Sequence, residues 1–257
     1  MMNRLDVAVY LRGLADSREK AKNLIANGNV YVNGKPAIKA SCKVSNEDTI
    51  EIKGEIMPYV SRGGLKLKKA VDVFSITLVG KIAIDMGAST GGFTDCMLQS
   101  GASKVYAVDV GSGQLADKIK NDSRVVNMEN TNIREMKRED IPEEIDFISV
   151  DTSFISLKLI LPTAFMFLKK DGEIVALIKP QFEAGRENIG KNGIVKDKKV
   201  HIRVIEEIYS FVISLGFVPT GLTISPITGG DGNVEYLMHI KKEGTAFSAC
   251  EIKKTVL

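Results

Sequence analysis

Lys81-Ile82-Ala83-Ile84-Asp85-Met86-Gly87-Ala88-Ser89-Thr90-Gly91-Gly92-Phe93 opens the stretch that decides the fold, and Lys104-Val105-Tyr106-Ala107-Val108-Asp109 closes it. The apolar run of Ile82, Ala83 and Ile84 reads as a buried strand that delivers Asp85 into a glycine-rich turn. Val105 to Val108 reads as a second strand, ending on Asp109. In an open α/β sheet the carboxyl ends of neighbouring strands form the crevice that takes nucleotide-like ligands. An acid roughly two dozen residues past the turn grips ribose hydroxyls. A nucleoside cofactor is therefore the first expectation.

The residues of the turn choose among such cofactors. A dinucleotide loop prefers glycine at its middle position, so that the backbone can approach a pyrophosphate. Ser89 stands there instead, and Asp85 would repel a phosphate. S-adenosylmethionine carries ribose, adenine, a sulfonium and an amino group but no phosphate, so the same acid suits it by Coulomb attraction. The Gly-Lys-Ser/Thr ending of a P-loop is also missing. S-adenosylmethionine is favoured over an NAD-type cofactor, with Asp85, Gly87, Ser89, Gly91, Gly92, Phe93 and Asp109 as its candidate contacts.

Around this motif the chain has 257 residues, enough for one large domain or a large and a small one. A formal charge of +3 is too slight to establish an acidic partner, so local clusters of charge matter more. The 44% apolar content supports a proper core. Cys42, Cys96 and Cys250 are few, odd in number and not spaced for metal binding, which suits a reducing cytosol and implies no metal site. The N-terminus has no apolar run of signal-peptide kind. The greasiest region, Phe154 to Leu168, is too short for a bilayer and is broken by Lys158 and Pro162. A soluble, cytoplasmic protein without a membrane partner is expected.

The chain changes pattern near residue 58. Before it, Leu5, Ala8 and Val9 recur at helical spacing, and Ser17 reads as the N-cap of a helix burying Ala21, Leu24 and Ile25. After Asn27-Gly28 come short strands, at Val30 to Val32 and Thr49 to Ile52, with a turn at Asn33-Gly34. From Lys81 onward strands and helices alternate, as in parallel-sheet proteins. The strands end near Asp85, Asp109, Met128, Asp151 and Lys179, and a long helix spans about 197 to 214. Phe217 to Ile224 and Val234 to Ile240 read as a final hairpin. The expected domains are residues 1–58, a basic linker at 59–64, an α/β domain at 65–243 and a weakly ordered tail at 244–257.

Arg4-Leu5-Asp6, Gly13-Leu14, Ser17-Arg18, Ala21, Leu24-Ile25, Gly28, Val30, Val32-Asn33-Gly34 and Lys39 together resemble the S4 RNA-binding domain across residues 3 to 53. The resemblance implies a small α+β module whose helices present cations to structured RNA, with Arg4, Arg18, Lys22 and Lys39 as the matching candidates. Such cations gain affinity by displacing counterions from phosphates. The basic joint from Tyr59 to Lys69 holds Arg62, Lys66, Lys68 and Lys69 and no acid. It reads as a hinge followed by an amphipathic helix with Leu65, Leu67 and Val71 inward, so Arg62 and Lys68 join the candidates for RNA.

The same sheet edge gathers reactive side chains. Asp151 ends the strand Ile145 to Val150, and Lys179 ends Ile174 to Ile178, where Pro180 stops the ladder. If the last strand runs antiparallel, Glu235 at its start falls on the same side. Here the chain resembles the RNA ribose 2′-O-methyltransferases of the FtsJ/RrmJ type, with their Lys-Asp-Lys-Glu tetrad. With the S4 module in front, it resembles specifically the TlyA family, whose members are also labelled hemolysins. The tetrad maps to Lys66, Asp151, Lys179 and Glu235, with Asp151 a cofactor contact as well.

That resemblance implies a Rossmann-like class I methyltransferase: a mostly parallel seven-stranded sheet with an antiparallel last strand. It further implies S-adenosylmethionine as cofactor, and methylation of a cytidine 2′-hydroxyl in 16S or 23S ribosomal RNA, with ribosomal subunits as partners. A ribose hydroxyl needs a positioned base. A lysine serves as one only with burial or a second cation beside it, a charge that Lys66 would supply to Lys179. Asp151 would orient the lysines, and Glu235 would hold the hydroxyl or Lys66.

Other methyl transfers fit less well. No thiol stands at the strand ends for attack through a pyrimidine carbon, and Asp151-Thr152-Ser153-Phe154 lacks the prolines of amine methylases. Phe154 and Phe182 read as core residues before they read as stacking platforms for a flipped-out nucleotide. Gly185 to Gly193, with Arg186 and Lys191, reads as a mobile lid. Two rival functions remain, a membrane-lysing toxin and a catalytically idle RNA-binding assembly factor.

Overall fold

A computed structural model describes the whole chain except residues 1, 16, 27, 54–56 and 231 and the side chain of Lys191. Asn27 of the expected Asn27-Gly28 turn and the Lys191 side chain thus lie outside the described residues. The chain divides into two units, Met1–Pro58 and Tyr59–Leu257.

In the first unit, β1 (Asn3–Arg4) leads into α1 (Leu5–Leu11), and α2 is Arg18–Ala26. Then come β2 (Val30–Val32), β3 (Lys35–Pro36), β4 (Lys43–Val44) and β5 (Ile50–Ile52). Ser17 Oγ accepts the Lys20 amide at 3.1 Å, as an N-cap should. Leu5, Ala8 and Val9 of α1 meet Ala21, Leu24 and Ile25 of α2 in one apolar cluster with Val30, Val44 and Ile50. β1 pairs with β4, and β2 lies between β3 and β5.

The second unit starts with α3 (Gly63–Val73), so the helix begins inside the expected linker. β6 (Ile82–Met86), α4 (Gly92–Gln99), β7 (Lys104–Val108), α5 (Asp117–Lys120), β8 (Val125–Met128) and β9 (Ile145–Val150) follow. Then come α6 (Leu161–Phe167), β10 (Leu168–Ile178), α7 (Pro180–Glu183), α8 (Lys198–Ser214), β11 (Val218–Ile224), β12 (Tyr236–Lys241) and α9 (Ala249–Val256). Among the described residues these strands form one seven-stranded sheet in the order β11-β12-β10-β9-β6-β7-β8. β12 runs antiparallel to both neighbours, whereas β10, β9, β6, β7 and β8 pair in parallel.

Strand alternation divides the core between the two faces of the sheet. Ile84, Met86, Val108, Ile148 and Ile178 pack on one face with residues of α6, α8 and α9. Ala83, Val105, Phe147, Val175 and Leu237 pack on the other with Leu67 of α3 and Phe93 and Met97 of α4. Burial on both faces is why these strands read as nearly continuous apolar runs.

The tail departs from expectation. Ser248 and Glu251 form a capping box at the start of α9, and Phe247, Ile252 and Val256 are buried. Residues 244–257 therefore belong to the α/β unit. Charge in the tail hid a Ser-x-x-Glu cap and an apolar i, i+4 pair.

Candidate active site

The turn after β6 owes its shape to its residues. Gly87 has φ +91, and a Cβ there would stand 2.5 Å from the Asp151 carbonyl oxygen, so only glycine lets β6 and β9 deliver their ends this close together. A Cβ on Gly92 would lie 2.2 Å from Ser61 Oγ, so the basic joint abuts the first turn of α4. Ser89 is left-handed at φ +47 and is held by Asp109, whose Oδ2 accepts its amide at 2.8 Å while Oδ1 accepts that of Gly111 at 2.7 Å. Asp109 therefore braces the turn. Gly91 caps α4 in a left-handed conformation and faces Leu115 of the next loop.

Asp85 is placed differently from expectation. It is fully buried, with Oδ2 accepting the Thr94 hydroxyl at 2.7 Å and Oδ1 accepting that of Ser149 at 3.0 Å. Burial pushes its carboxyl up to about 7 against the lowering effect of those hydroxyls. It ties β6, α4 and β9 together beneath the turn instead of facing a ligand. Strand parity gives the reason: Asp85 shares the α4-facing side of the sheet with Ala83 and is the register partner of Ser149.

A cavity of about 290 Å³ opens over the turn, lined among others by Gly87, Ser89, Gly92, Phe93, Lys66, Asp151 and Lys179. Three of the four tetrad candidates thus share one wall with the glycine turn. The fourth, Glu235, directly precedes β12, whose Tyr236 pairs with Ile178 of β10, and so comes beside Lys179 at the sheet edge.

The four charges form two ion pairs. Lys66 Nζ meets Glu235 Oε2 at 2.6 Å, and Lys179 Nζ meets Asp151 Oδ1 at 2.6 Å. Lys179 Nζ also donates to Ser153 Oγ at 3.0 Å. Glu235 therefore holds Lys66, and Asp151 attends Lys179 alone instead of orienting both lysines. Lys66, Lys179 and Glu235 are all buried, so the pairing supports charges largely withdrawn from water. Asp151 Oδ1 is at ion-pair distance but out of line for a hydrogen bond, and it and Thr152 Oγ1 are buried without hydrogen-bond partners. Of these two residues, Asp151 lines the cavity. Among the described residues no group of three His, Cys, Asp or Glu side chains could hold a metal ion.

The flanking loops carry groups that the sequence reading missed or misplaced. Phe154 is 90% exposed and left-handed at φ +64, so it is not a core residue; its ring lies 4.9 Å from that of Phe182. Gln181 donates to Glu235 Oε1 at 3.3 Å, and its own Oε1 is buried without a partner. Ser153, Gln181 and the exposed Val110 just past Asp109 were not anticipated; their signal was adjacency to the strand ends that carry Asp109, Asp151 and Lys179. The expected lid is tied down at its downstream end. Asn233 donates to the Gly193 carbonyl at 2.9 Å and accepts the Val195 amide at 3.1 Å, and buried His201 bonds the Val195 carbonyl at 2.8 Å.

With this geometry established, comparison with known proteins is decisive. The FtsJ-like methyltransferase family model matches residues 59–242, and the S4 domain model matches residues 3–50. The chain is 50% identical to YqxC of Bacillus subtilis, over 94% of this chain and 86% of that protein. It is 40% identical to the 16S/23S rRNA (cytidine-2′-O)-methyltransferase TlyA of Mycobacterium tuberculosis, over 93% of this chain and 90% of the relative. The chain belongs to the TlyA family of FtsJ-like methyltransferases. A solved structure from Streptococcus thermophilus, labelled a hemolysin, matches with 46% identity and a TM-score of 0.78, covering 99% of this chain and 94% of that one. Yet among the described residues no helix is long and apolar enough to cross a membrane.

Within this TlyA-family chain the cations expected to face RNA fall into two groups. Arg4 Nε and Arg18 NH2 bond the two oxygens of Asp6 at 3.0 and 3.1 Å. Asp6 is fully buried, which raises its carboxyl, but the two guanidinium groups outweigh burial and hold it below the usual range. Both arginines stay about half exposed, at 50% and 53% of the side chain, so each can staple the module while presenting charge outward. Lys22, Lys39 and Arg62 are exposed, and Arg62 lies on the cavity rim. Exposed Lys68 pairs with Asp72 one helical turn on.

Proposed function

We propose that this protein transfers a methyl group from S-adenosylmethionine to the 2′-hydroxyl of a cytidine in ribosomal RNA, with Lys179 as the proton acceptor. The observation that carries the proposal is Lys179 on the wall of the cavity over the glycine turn, bonded to Asp151 and Ser153. The cofactor supplies a methyl group activated by an adjacent sulfonium. Gly87, Ser89 and Phe93 would cradle it, and Asp109, which holds the turn, would grip ribose.

Lys179 Nζ is placed by its ion pair with Asp151 and its hydrogen bond to Ser153, and as an amine it offers its lone pair to the ribose hydroxyl. In its amine form it would take the 2′-hydroxyl proton onto Nζ as the ribose oxygen gains the methyl, the sulfur–methyl bond of the donor breaking to leave a neutral thioether. Lys66, fixed by Glu235, stands on the wall of the same cavity. Alignment of oxygen and methyl supplies much of the acceleration. Phe154 offers an exposed ring on which the displaced base stacks, and the S4 module and Arg62 supply phosphate contacts.

The test uses isotopically labelled S-adenosylmethionine with separate small and large ribosomal subunits, followed by mapping of the methylated ribose. Label on a cytidine 2′-oxygen in either subunit supports the proposal. Label on a base atom, or none with either subunit, rejects it.

A further inference from the structure

Immediately after Lys179, the four-residue helix α7 touches both loops that flank the cavity. Gln181 reaches Glu235, Phe182 packs on Phe154, and Glu183 reaches the loop that carries Ser153 and Phe154. Glu183 Oε1 accepts the Leu157 amide at 2.7 Å, and Oε2 accepts the Ser156 hydroxyl at 2.6 Å. Ser156 Oγ in turn accepts the Lys158 amide at 3.2 Å, which completes the cap of the short 3-10 turn Leu157–Leu159. One carboxylate therefore fixes the downstream end of the loop.

The upstream end is fixed as well, by the Asp151 amide bonding the Met86 carbonyl at 2.9 Å. Between these anchors Phe154 holds a left-handed backbone that a bulky residue avoids, with its ring almost wholly exposed. Such a conformation persists only where its surroundings over-determine it. Neither burial of the ring nor a glycine can explain it here.

We infer that Glu183 is a positioning residue for the acceptor nucleotide, clamping the Ser153–Phe154 loop so that the Phe154 ring stands ready for the displaced base. This rests on the reading of Phe154 as a stacking platform. Glu183 acts through the loop and touches neither cofactor nor ribose. Its loss lets Phe154 relax out of the left-handed region, which weakens RNA engagement and leaves the cofactor turn intact.

The experiment is a double-mutant cycle on the full-length protein with Glu183→Ala, Glu183→Gln, Phe154→Ala and the pair Glu183→Ala/Phe154→Ala. Methyl transfer to purified ribosomal subunits gives KM for RNA and kcat, and calorimetry gives the Kd of S-adenosylmethionine. Expected are a roughly tenfold rise in KM for both alanine variants, little further loss in the double variant, and a cofactor Kd within about twofold of the parent. Glutamine keeps one acceptor for the Leu157 amide and should recover most of the KM. If Glu183→Ala is too unstable to assay, Glu183→Gln carries the same cycle with a smaller rise that again vanishes beside Phe154→Ala.

Penalties that multiply in the double variant would overturn the role of Glu183 while sparing the platform. A Phe154→Ala variant with parental KM would sink both. An unchanged KM in Glu183→Ala, or a parallel loss of cofactor binding, would likewise reject the clamp.

Discussion

The two ends of strands β10 and β12 both pair lysines with carboxylates, but they are satisfied differently. At the carboxyl end of β10, Lys179–Asp151 and Lys66–Glu235 stand beside a cavity, with orphaned acceptors on Asp151, Thr152 and Gln181. Toward the other end, Glu173 is surrounded. Its oxygens meet Lys81 at 3.2 Å, Lys241 at 3.2 Å and His239 at 2.9 Å, while Thr220 bonds the far nitrogen of that imidazole at 2.9 Å. Phe74 stacks on the same ring at 5.1 Å. The same residue types build a structural cluster where every polar atom is matched, and a reactive one where some are left for a ligand.

Substitutions at the two ends should therefore fail in different ways. The largest effect is expected at Lys179, where alanine should lower methyl transfer by about two to four orders of magnitude, the range of a lost general base, with cofactor binding within about twofold. Next comes Glu173→Gln. Burial raises that carboxyl, but His239, Lys81 and Lys241 outweigh burial and hold it at about 2, below the free value of 4.5. A depressed carboxylate stabilises the fold above its unfolded value and loses that contribution as pH falls from about 4.5 toward 2. This amounts to on the order of 3 kcal/mol. The variant should unfold more easily at neutral pH and show a flatter acid limb in chemical denaturation, with kcat preserved at a permissive temperature. A kcat loss like that of Lys179→Ala would erase the contrast between the two ends.

Asp85 sharpens the comparison from beneath the turn. Its folded value of about 7 lies above the free value of 3.8, so its contribution is complete below about 3.8 and fades as pH rises toward 7. Asp85→Asn should gain stability relative to the parent across that window, by at least about 1 kcal/mol at pH 8. Equal pH profiles for the two proteins would refute the burial argument. The smallest effect is expected far from both clusters. Ser248→Ala removes the N-cap of α9 and should cost about 1 kcal/mol by thermal or chemical unfolding, whereas a disordered tail would give no change.

The sheet and its reactive edge were legible because three of the parallel strands announce their ends with a charge. Asp109, Asp151 and Lys179 follow apolar runs that fix both direction and face. Glu235 was legible only through an assumed antiparallel strand, which β12 supplies. What escaped depended on partners distant in the chain. Ser149 and Thr94 turn Asp85 inward, Asn233 and His201 anchor the supposed lid, and Glu183 holds the loop that exposes Phe154. No local pattern encodes those meetings. The α9 helix was a different case, since its capping box and apolar spacing were in plain view but outweighed by charge.

Labelled methyl transfer to ribosomal subunits, run beside calorimetry of S-adenosylmethionine binding for the parent and Lys179→Ala, tests the central claim most directly. The parent should label a cytidine 2′-oxygen, while the variant should bind the cofactor as the parent does and transfer almost nothing. A variant that turns over at the parental rate would contradict that claim.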